Sequence, residues 1–321
     1  MKDSYGRKID YLRISITDRC NLRCTYCMPE EGICYMSQEE ILTYEEITTL
    51  CQMMARIGLK HIKITGGEPL VRKECEKLIR MLKEIPGIET VTLTTNGILL
   101  EEMSESLVEA GIDGVNISID TLDEEEYSRI TRGGSLQAAR RGIAKICSYP
   151  DVTVKVNCVL GGKDWEKTAV SIAELAKEQP IHVRFIEHMP TVLERDGRIC
   201  EQDEVKKVLE HAYGSMRECE KPLGFGPCTY YAIDGFCGKI GFISAVSHKF
   251  CEDCNRIRLT ADGKLRLCLQ SSNMVEIRSL LRQGRKFELA AVIQNAVRHK
   301  PKEHHFEETE IETESMSQIG G

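Results

Sequence analysis

The sequence predicts an α/β protein, a partial (β/α)6 barrel of the TIM type followed by a C-terminal α+β domain that carries a second metal site. The barrel is indicated by six strand-like runs that alternate with amphipathic helices from residue 11 to about residue 189. Such βα repetition gives a parallel sheet with right-handed crossovers. The second domain is indicated by a change, after residue 221, to short strand-like runs among closely spaced Gly and Pro residues.

Each predicted element of the barrel has its own signal. The six strands alternate apolar and polar residues and lie at 11–17, 61–65, 90–95, 114–120, 152–159 and 182–187. The helices between them are predicted at 44–57, 75–85, 101–110, 136–147 and 165–178. Glycine, a common helix stop, follows three of these helices.

Beyond the barrel we expect helices at 204–212, 275–282 and 287–299, with strands at 230–233 and 239–244. The predicted domains are a barrel at 1–190, a connector at 191–220 and an auxiliary-cluster domain at 221–321 that ends in a Gly-Gly tail.

Composition limits the class of protein. The chain has 321 residues, of which 41% are hydrophobic, enough for one large or two modest domains. A net charge of −7 argues against a general nucleic-acid or membrane-surface binder. The sequence has no apolar signal segment and no run of about 20 apolar residues, so we expect a cytoplasmic protein. Fifteen cysteines, an odd number, do not suggest a secreted disulfide scaffold.

The polar positions of the strands predict what the barrel encloses. A barrel of this type normally fills its interior with branched apolar side chains. Here the apolar positions must face the helices, so polar side chains line the lumen, among them Arg13, Lys63, Lys155 and Arg184. These four cations predict a cavity for an anion such as a polyphosphate. Pairing with loop carboxylates is the alternative.

Three cysteines directly after the first strand form the most specific motif of the chain. Cys20, Cys24 and Cys27 have the spacing C-x3-C-x2-C, which allows three thiolates to converge on one inorganic centre. Arg19 and Arg23 flank them and are expected to favour the thiolate form. Cys34 is the only nearby candidate for a fourth ligand, and a Pro-Glu-Glu-Gly stretch separates it from the other three. The spacing therefore predicts an iron–sulfur cluster with one open iron. A structural zinc and buried free thiols are the alternatives.

The C-terminal region holds a second group of three thiols, Cys251, Cys254 and Cys268. Their spacing is C-x2-C-x13-C, with the last two on either side of a predicted strand–turn–strand. A zinc site with His248 as fourth ligand fits this spacing about as well as a cluster does. Arg256 and Arg258 share one face of the strand and could hold an anionic or base-like ligand beside the metal.

The first cysteine motif, with Tyr26 between its last two cysteines, resembles the signature of the radical S-adenosylmethionine superfamily. The resemblance implies a [4Fe-4S] cluster whose open iron binds S-adenosylmethionine, and reductive cleavage of that cofactor to a 5′-deoxyadenosyl radical. The strand-end segment Ile64-Thr65-Gly66-Gly67-Glu68-Pro69 is similar to the superfamily's segment that binds the amino group of S-adenosylmethionine.

The combination of motifs resembles one family within that superfamily. An N-terminal C-x3-C-x2-C, a C-terminal C-x2-C-N-R-I-R-L with a third cysteine further on, and a terminal Gly-Gly are together similar to the GTP 3′,8-cyclases of molybdenum cofactor biosynthesis. The resemblance implies a lyase that uses two [4Fe-4S] clusters and S-adenosyl-L-methionine to convert GTP to (8S)-3′,8-cyclo-7,8-dihydroguanosine 5′-triphosphate. In the implied reaction the deoxyadenosyl radical removes the ribose 3′ hydrogen, the C3′ radical attacks guanine C8, and reduction follows.

Position by position, the resemblance implies four sets of residues. The cluster ligands are Cys20, Cys24 and Cys27 for the first cluster, and Cys251, Cys254 and Cys268 for the second. The S-adenosylmethionine contacts are Tyr26, Gly67, Ser118 and Met189. The GTP contacts are Arg13, Lys63, Thr94, Lys155, Arg256, Ile257 and Arg258, with Arg184, Gly320 and Gly321 as additional candidates. Lys63 stands where the family usually has arginine, which keeps the charge but loses bidentate phosphate geometry.

The resemblance also implies partners: GTP as substrate, an electron donor of the flavodoxin or ferredoxin type, and a downstream cyclic pyranopterin synthase. No nucleic acid or membrane partner is expected, and a homodimer stays open. The alternative functions are a peptide-modifying radical enzyme with an auxiliary cluster and a non-catalytic zinc or iron–sulfur protein. The basic lumen argues against both.

Overall fold

The computed structural model describes residues 1–189, 200–221, 223–271 and 273–306. Its first half alternates strands and helices, as the sequence predicts. The strands are β1 (Tyr11–Ser15), β2 (His61–Thr65), β3 (Thr90–Thr95), β4 (Gly114–Ser118), β5 (Thr153–Val159) and β6 (Ile181–Ile186). The helices are α1 (Tyr44–Arg56), α2 (Cys75–Lys83), α3 (Leu100–Glu109), α4 (Glu124–Thr131), α5 (Leu136–Cys147) and α6 (Trp165–Glu178).

The second half of the described chain is richer in short strands. Its helices are α7 (Gln202–Tyr213), α8 (Arg278–Arg282) and α9 (Lys286–Arg298). Its strands are β7 (Met216–Glu218), β8 (Thr229–Ile233), β9 (Ile240–Ile243), β10 (Arg256–Leu259), β11 (Lys264–Arg266) and β12 (Met274–Glu276).

Two of the predicted element assignments need correction. Helix α4 is absent from the predicted elements, although Asp123 caps it by accepting a hydrogen bond from the Glu126 N–H and three glutamates occupy its first turn. Both features are ordinary signals of a helix start. The helix predicted at 275–282 begins instead as β12, since pairing with β11 holds this stretch extended, and only α8 is helical.

The described strands form one sheet in the order β12-β11-β10-β1-β2-β3-β4-β5-β6-β9-β8-β7. Strands β1 to β6 run parallel in chain order. At the two edges of this half-barrel, β10 pairs parallel with β1 and β9 pairs parallel with β6. The C-terminal strands therefore cover edges that would otherwise present unpaired backbone groups. The proposed domain division stays a prediction, since these strands extend the barrel sheet itself.

The two faces of the half-barrel sheet are sorted by the alternation seen in the sequence. The apolar positions pack against the helices and have no exposed surface, as in Leu12, Ile14, Ile62, Ile64, Val91 and Leu93. The polar positions therefore face the lumen. Across the sheet, Arg13 is in register with Lys63 on one side and with Arg258 on the other. Among the described residues, no helix combines the length and apolar character that crossing a membrane requires.

Candidate active site

The two groups of three cysteines lie at opposite ends of the barrel lumen. Cys20, Cys24 and Cys27 follow the carboxyl end of β1. Cys251 and Cys254 precede the amino end of β10, the parallel neighbour of β1. Strand β11 is antiparallel to β10 and brings Cys268 back to that same end. The lumen cations on β1, β2 and β10 thus lie between the two thiol groups, separated by the length of a short strand, about 15 Å.

Hydrogen bonds fix the backbone of the first cysteine loop. The Thr25 N–H donates to the Ile130 carbonyl (2.9 Å), which joins the loop to the end of α4. The Arg132 guanidinium donates to the carbonyls of Arg23 (3.1 Å) and Met28 (2.9 Å), and so ties the two ends of the loop together. The loop is therefore preformed by protein contacts.

The first three thiols share a desolvated environment. Burial raises the pKa of Cys20 and Cys24, and the neighbouring Cys27 raises that of Cys24 further. At Cys20, Arg23 favours the thiolate as expected, but burial outweighs it. All fifteen cysteines lie in the described residues and are free thiols. Three adjacent, desolvated thiols fit a positively charged iron–sulfur core, which would offset their burial.

The described part of the chain has no preformed single-ion site. In the described part of the chain, no three His, Cys, Asp or Glu side chains are arranged to hold one metal ion. A structural zinc needs four ligands that converge on one ion, whereas the thiols of a [4Fe-4S] cluster bind different irons. At the second group, the His248 ring has another neighbour, with its Nδ1 3.0 Å from the Ser247 hydroxyl in an exposed turn.

The Gly-Gly-Glu-Pro segment packs directly against the first cysteine loop. The Gly67 N–H donates to the Thr17 carbonyl (2.7 Å). A Cβ at Gly67 would lie 2.4 Å from the Arg19 carbonyl oxygen, so no larger residue fits without a shift of backbone. Glu68 is buried and accepts hydrogen bonds from the Thr95 hydroxyl (2.8 Å) and the Asn96 N–H (2.7 Å). Burial raises the pKa of Glu68 to about 7. Glu68 thus joins this segment to β3 by hydrogen bonds, a structural role that no sequence motif indicated.

Tyr26 reaches from the cysteine loop to the end of β4. Its hydroxyl donates to Asp120 Oδ2 (2.7 Å), and Asp120 Oδ1 accepts from the Val159 N–H (2.9 Å). Ser118 ends β4 and Met189 follows β6, so the four predicted S-adenosylmethionine contacts share the carboxyl end of the barrel. Asp120 was not singled out, although it continues the polar alternation of β4.

Of the four predicted lumen cations, Lys63 and Lys155 are buried, whereas Arg13 and Arg184 are half-buried. Lys63 has 7% of its surface exposed, and its ammonium group forms no hydrogen bond or ion pair with another described residue. Burial and the positive charges of Arg184 and Arg13 lower the pKa of Lys63 well below its ordinary value. Arg184 donates to the Asn157 side chain, but its Nε is buried without a hydrogen-bond partner. Neutralisation by loop carboxylates is therefore not observed at Lys63.

A loop that the sequence analysis missed crosses the amino end of the lumen. Lys155 Nζ donates to the Leu223 carbonyl. The Phe225 ring stacks on His61 with ring centroids 3.5 Å apart, and its carbonyl accepts from Asn255 Nδ2 (3.1 Å). The loop therefore spans from β5 to the start of β10. No local sequence pattern indicates these long-range contacts.

The remaining predicted GTP contacts differ in where their side chains lie. Thr94 is in register with Asn116, whose Nδ2 is 3.5 Å from the Thr94 hydroxyl in the lumen. Arg256 and Arg258 occupy the positions of β10 whose side chains face the lumen. The Ile257 side chain packs in the core, so only its backbone is left for contact with a ligand. Gly320 and Gly321 lie outside the described residues.

The second thiol group is electrostatically different from the first. Burial of Cys254 disfavours its thiolate, but Arg256 and Lys300 outweigh this and lower its pKa to about 7. Burial raises the pKa of Cys251. Lys300 is a buried neighbour of these thiols that no sequence motif indicated.

Known proteins are similar to this chain in fold and in sequence. Family models for the radical SAM superfamily and for Molybdenum Cofactor Synthesis C match residues 14–176 and 181–306. Solved structures with a similar fold include Streptococcus suis SuiB bound to S-adenosylmethionine, at 13% identity and TM-score 0.61, covering 90% of this chain and 68% of that one. Methylornithine synthase (PylB) is similar at 18% identity and TM-score 0.51, covering 64% of this chain and 63% of that one. At these identities the likeness concerns the fold alone.

Curated relatives are much more similar in sequence. A GTP 3′,8-cyclase of Pelotomaculum thermopropionicum is 45% identical over 325 residues, with 100% of both chains covered. A GTP 3′,8-cyclase of Moorella thermoacetica is 44% identical over 324 residues, again with 100% of both chains covered. The chain therefore belongs to the GTP 3′,8-cyclase family of the radical SAM superfamily.

Proposed function

We propose that this chain is a lyase that converts GTP to (8S)-3′,8-cyclo-7,8-dihydroguanosine 5′-triphosphate, the first step of molybdenum cofactor biosynthesis. The observation that carries the proposal is a lumen lined by cations, with Lys63 and Lys155 buried, between two groups of three free thiols. An anionic substrate held there has one metal centre at each end.

The first thiol group would hold a [4Fe-4S] cluster with S-adenosylmethionine beside it. When bound and reduced, this pair supplies the 5′-deoxyadenosyl radical that abstracts hydrogen. The chain's own part is to bind and orient. Tyr26 is held by Asp120, and Gly67 allows the backbone to approach closely. Ser118 and Met189 complete the proposed cofactor contacts at the carboxyl end of the barrel.

The lumen cations would bind the triphosphate of GTP. Buried positive charges without carboxylate partners oppose folding unless an anion neutralises them, and a triphosphate does so with several charges. Lys63, Lys155 and Arg184 supply the described cations of β2, β5 and β6. Arg13, Thr94 and the Arg256–Arg258 stretch would contact the remainder of the nucleotide.

The second thiol group, Cys251, Cys254 and Cys268, would hold a second [4Fe-4S] cluster next to the purine. Arg256 links this site to the lumen, because it lies beside Cys254 and at a position of β10 whose side chain faces the lumen. We also propose the division into a barrel (1–190), a connector (191–220) and a C-terminal domain (221–321), with Gly320 and Gly321 entering the site. A flavodoxin or ferredoxin would supply electrons, and cyclic pyranopterin synthase would consume the product.

The proposal is tested by metal analysis and turnover of anaerobically reconstituted protein. About eight irons per chain, with S-adenosylmethionine and GTP converted to 5′-deoxyadenosine and the cyclic nucleotide, is the expected result. About four irons plus one zinc would reject the second cluster. Cofactor cleavage that is unaffected by GTP and yields no cyclic nucleotide would reject the substrate.

A further inference from the structure

We propose that Lys300 is a positioning residue for the second cluster: its ammonium group, beside Cys254 and Cys268, balances the charge of that cluster and so sets its reduction potential and its retention. The inference rests on the proposed function, because it takes these three thiols to be cluster ligands.

Lys300 is almost completely enclosed by protein. It follows α9 and exposes only 3% of its surface. Its Nζ donates to the carbonyl of Leu267, the residue directly before Cys268. This hydrogen bond holds the ammonium group next to the residue that directly follows β11. A buried ammonium is unfavourable unless an anion lies nearby.

The thiols of Cys254 and Cys268 lie close enough to Lys300 to favour its charged form. Burial lowers the pKa of Lys300, whereas Cys254 and Cys268 raise it. A thiolate-ligated cluster carries negative charge, and that charge grows on reduction. The geometry therefore matches a fixed cation to a centre that needs one.

Arg256 and Arg7 are further cations near this site, and the charge of Arg7 is neutralised by a carboxylate. Its Nε donates to Asp3 Oδ2 (2.5 Å), and Asp3 is buried. Its remaining N–H groups donate to the carbonyls of Cys251 (2.7 Å), Pro301 (2.5 Å), Lys302 (2.7 Å) and Lys300 (3.5 Å). Arg7 thus joins the Cys251 loop by hydrogen bonds to the segment that contains Lys300.

Two consequences follow for a cluster held at this site. Net charge, hydrogen bonds and solvent exposure set the potential of an iron–sulfur cluster, and a nearby cation favours the reduced form. Partners of ligands commonly affect metal affinity by about 10–100-fold. Loss of the Lys300 charge is therefore expected to lower the midpoint potential and to speed the loss of iron.

The test uses the full-length chain with Cys20, Cys24 and Cys27 replaced by alanine, so that only the second group loads. Lys300→Met removes the charge but keeps an unbranched apolar stem, and Lys300→Arg restores a cation. Lys302→Met is the matched control, because Lys302 is two residues away and exposed. The midpoint potential is measured by a redox titration followed by electron paramagnetic resonance, and iron loss by transfer to a chelator.

Lys300→Met is expected to have a lower midpoint potential and iron loss faster by about 10–100-fold. Lys300→Arg and Lys302→Met should stay close to the parent. A loaded Lys300→Met cluster with the parent's potential and retention would overturn the inference. If Lys300→Met does not fold, Lys300→Gln, which can still donate a hydrogen bond, replaces it in the same comparison. A parent protein that loads no iron rejects the second cluster itself, an outcome distinct from a cluster indifferent to Lys300.

Discussion

Arg13 on β1 lies directly opposite Arg258 on β10 in the parallel register that joins the two halves of the sheet. Burial lowers the pKa of Arg258, and the charge of Arg13 acts in the same direction. The strand leading to the first thiol group and the strand leaving the second thus meet at a pair of like charges.

Lys155 is expected to be a main contact for the triphosphate. In Lys155→Ala, the dissociation constant of GTP should rise about tenfold or more, because a lost charge-assisted hydrogen bond costs about 1.5–3 kcal/mol. Equilibrium binding of GTP to the anaerobic protein measures this. Lys163→Ala, at an exposed position, is the control and should bind GTP as the parent does. Equal GTP affinity in Lys155→Ala and the parent, with the fold intact, would reject the assignment.

Lys155 should also make the stability of the protein and its affinity for GTP depend on pH. Burial lowers the pKa of Lys155 from 10.5 to about 8 in the unliganded fold, and Arg184 acts in the same direction. Between these two values the unfolded chain binds more protons, so the unliganded protein gains stability as pH rises. GTP affinity should fall over the same range, by up to about tenfold per pH unit, because the ammonium charge is lost.

Titration of GTP at pH 7, 8 and 9 checks this dependence. Lys155→Arg, which stays charged throughout, is the comparison and should have a flatter profile. If GTP affinity falls equally with pH in Lys155→Arg and in the parent, another group causes the pH dependence.

Lys63 should show a conflict between stability and substrate binding. Lys63→Met is expected to raise the unfolding free energy without GTP, by about 1–4 kcal/mol if it behaves like other buried charges replaced by apolar side chains. The same variant should bind GTP more weakly. Lys63→Arg should bind GTP as tightly or more tightly, because its fork can bond two phosphate oxygens. Thermal unfolding and GTP binding, each on all three proteins, measure these effects. A stable Lys63→Arg protein without activity would show that the site is fitted around lysine.

Gly67 should tolerate no side chain. A Cβ there meets the Arg19 carbonyl oxygen at 2.4 Å, so Gly67→Ala must displace the first cysteine loop. We expect loss of most 5′-deoxyadenosine formation together with a lower melting temperature. Gly161→Ala is the control, since nothing lies within 4 Å of the position that its added methyl group would take, and its backbone is not left-handed. Normal cofactor cleavage by Gly67→Ala would contradict the close approach described for this segment.

Much of the barrel was predictable because its signals are local. Alternation within each strand identified all six strands of the half-barrel and the lumen positions of Lys63 and Lys155. The capping signals of α4 were present in the sequence, beginning at Asp123, and were overlooked.

Long-range contacts account for what could not be predicted. The pairing of β10 with β1 joins residues more than 240 positions apart in the chain, and no local pattern encodes it. The stacking of Phe225 on His61 and the burial of Lys300 beside the second thiols are of the same kind. Such contacts depend on how the C-terminal strands close the edges of the sheet.

The central claim is that the two thiol groups have separate tasks at the two ends of one lumen. Cys24→Ala should abolish 5′-deoxyadenosine formation, because Cys24 belongs to the group proposed to bind and reduce S-adenosylmethionine. Cys268→Ala should fold, cleave the cofactor slowly and bind GTP poorly. If Cys268 were instead a structural zinc ligand, its loss should unfold the C-terminal region, since metal-binding energy there is folding energy.

The most direct measurement is the yield of 5′-deoxyadenosine and of cyclic nucleotide from anaerobically reconstituted Cys268→Ala, beside the parent and Cys24→Ala. The account predicts 5′-deoxyadenosine without cyclic nucleotide from Cys268→Ala, and neither product from Cys24→Ala. A folded Cys268→Ala protein that still cyclises GTP would contradict it.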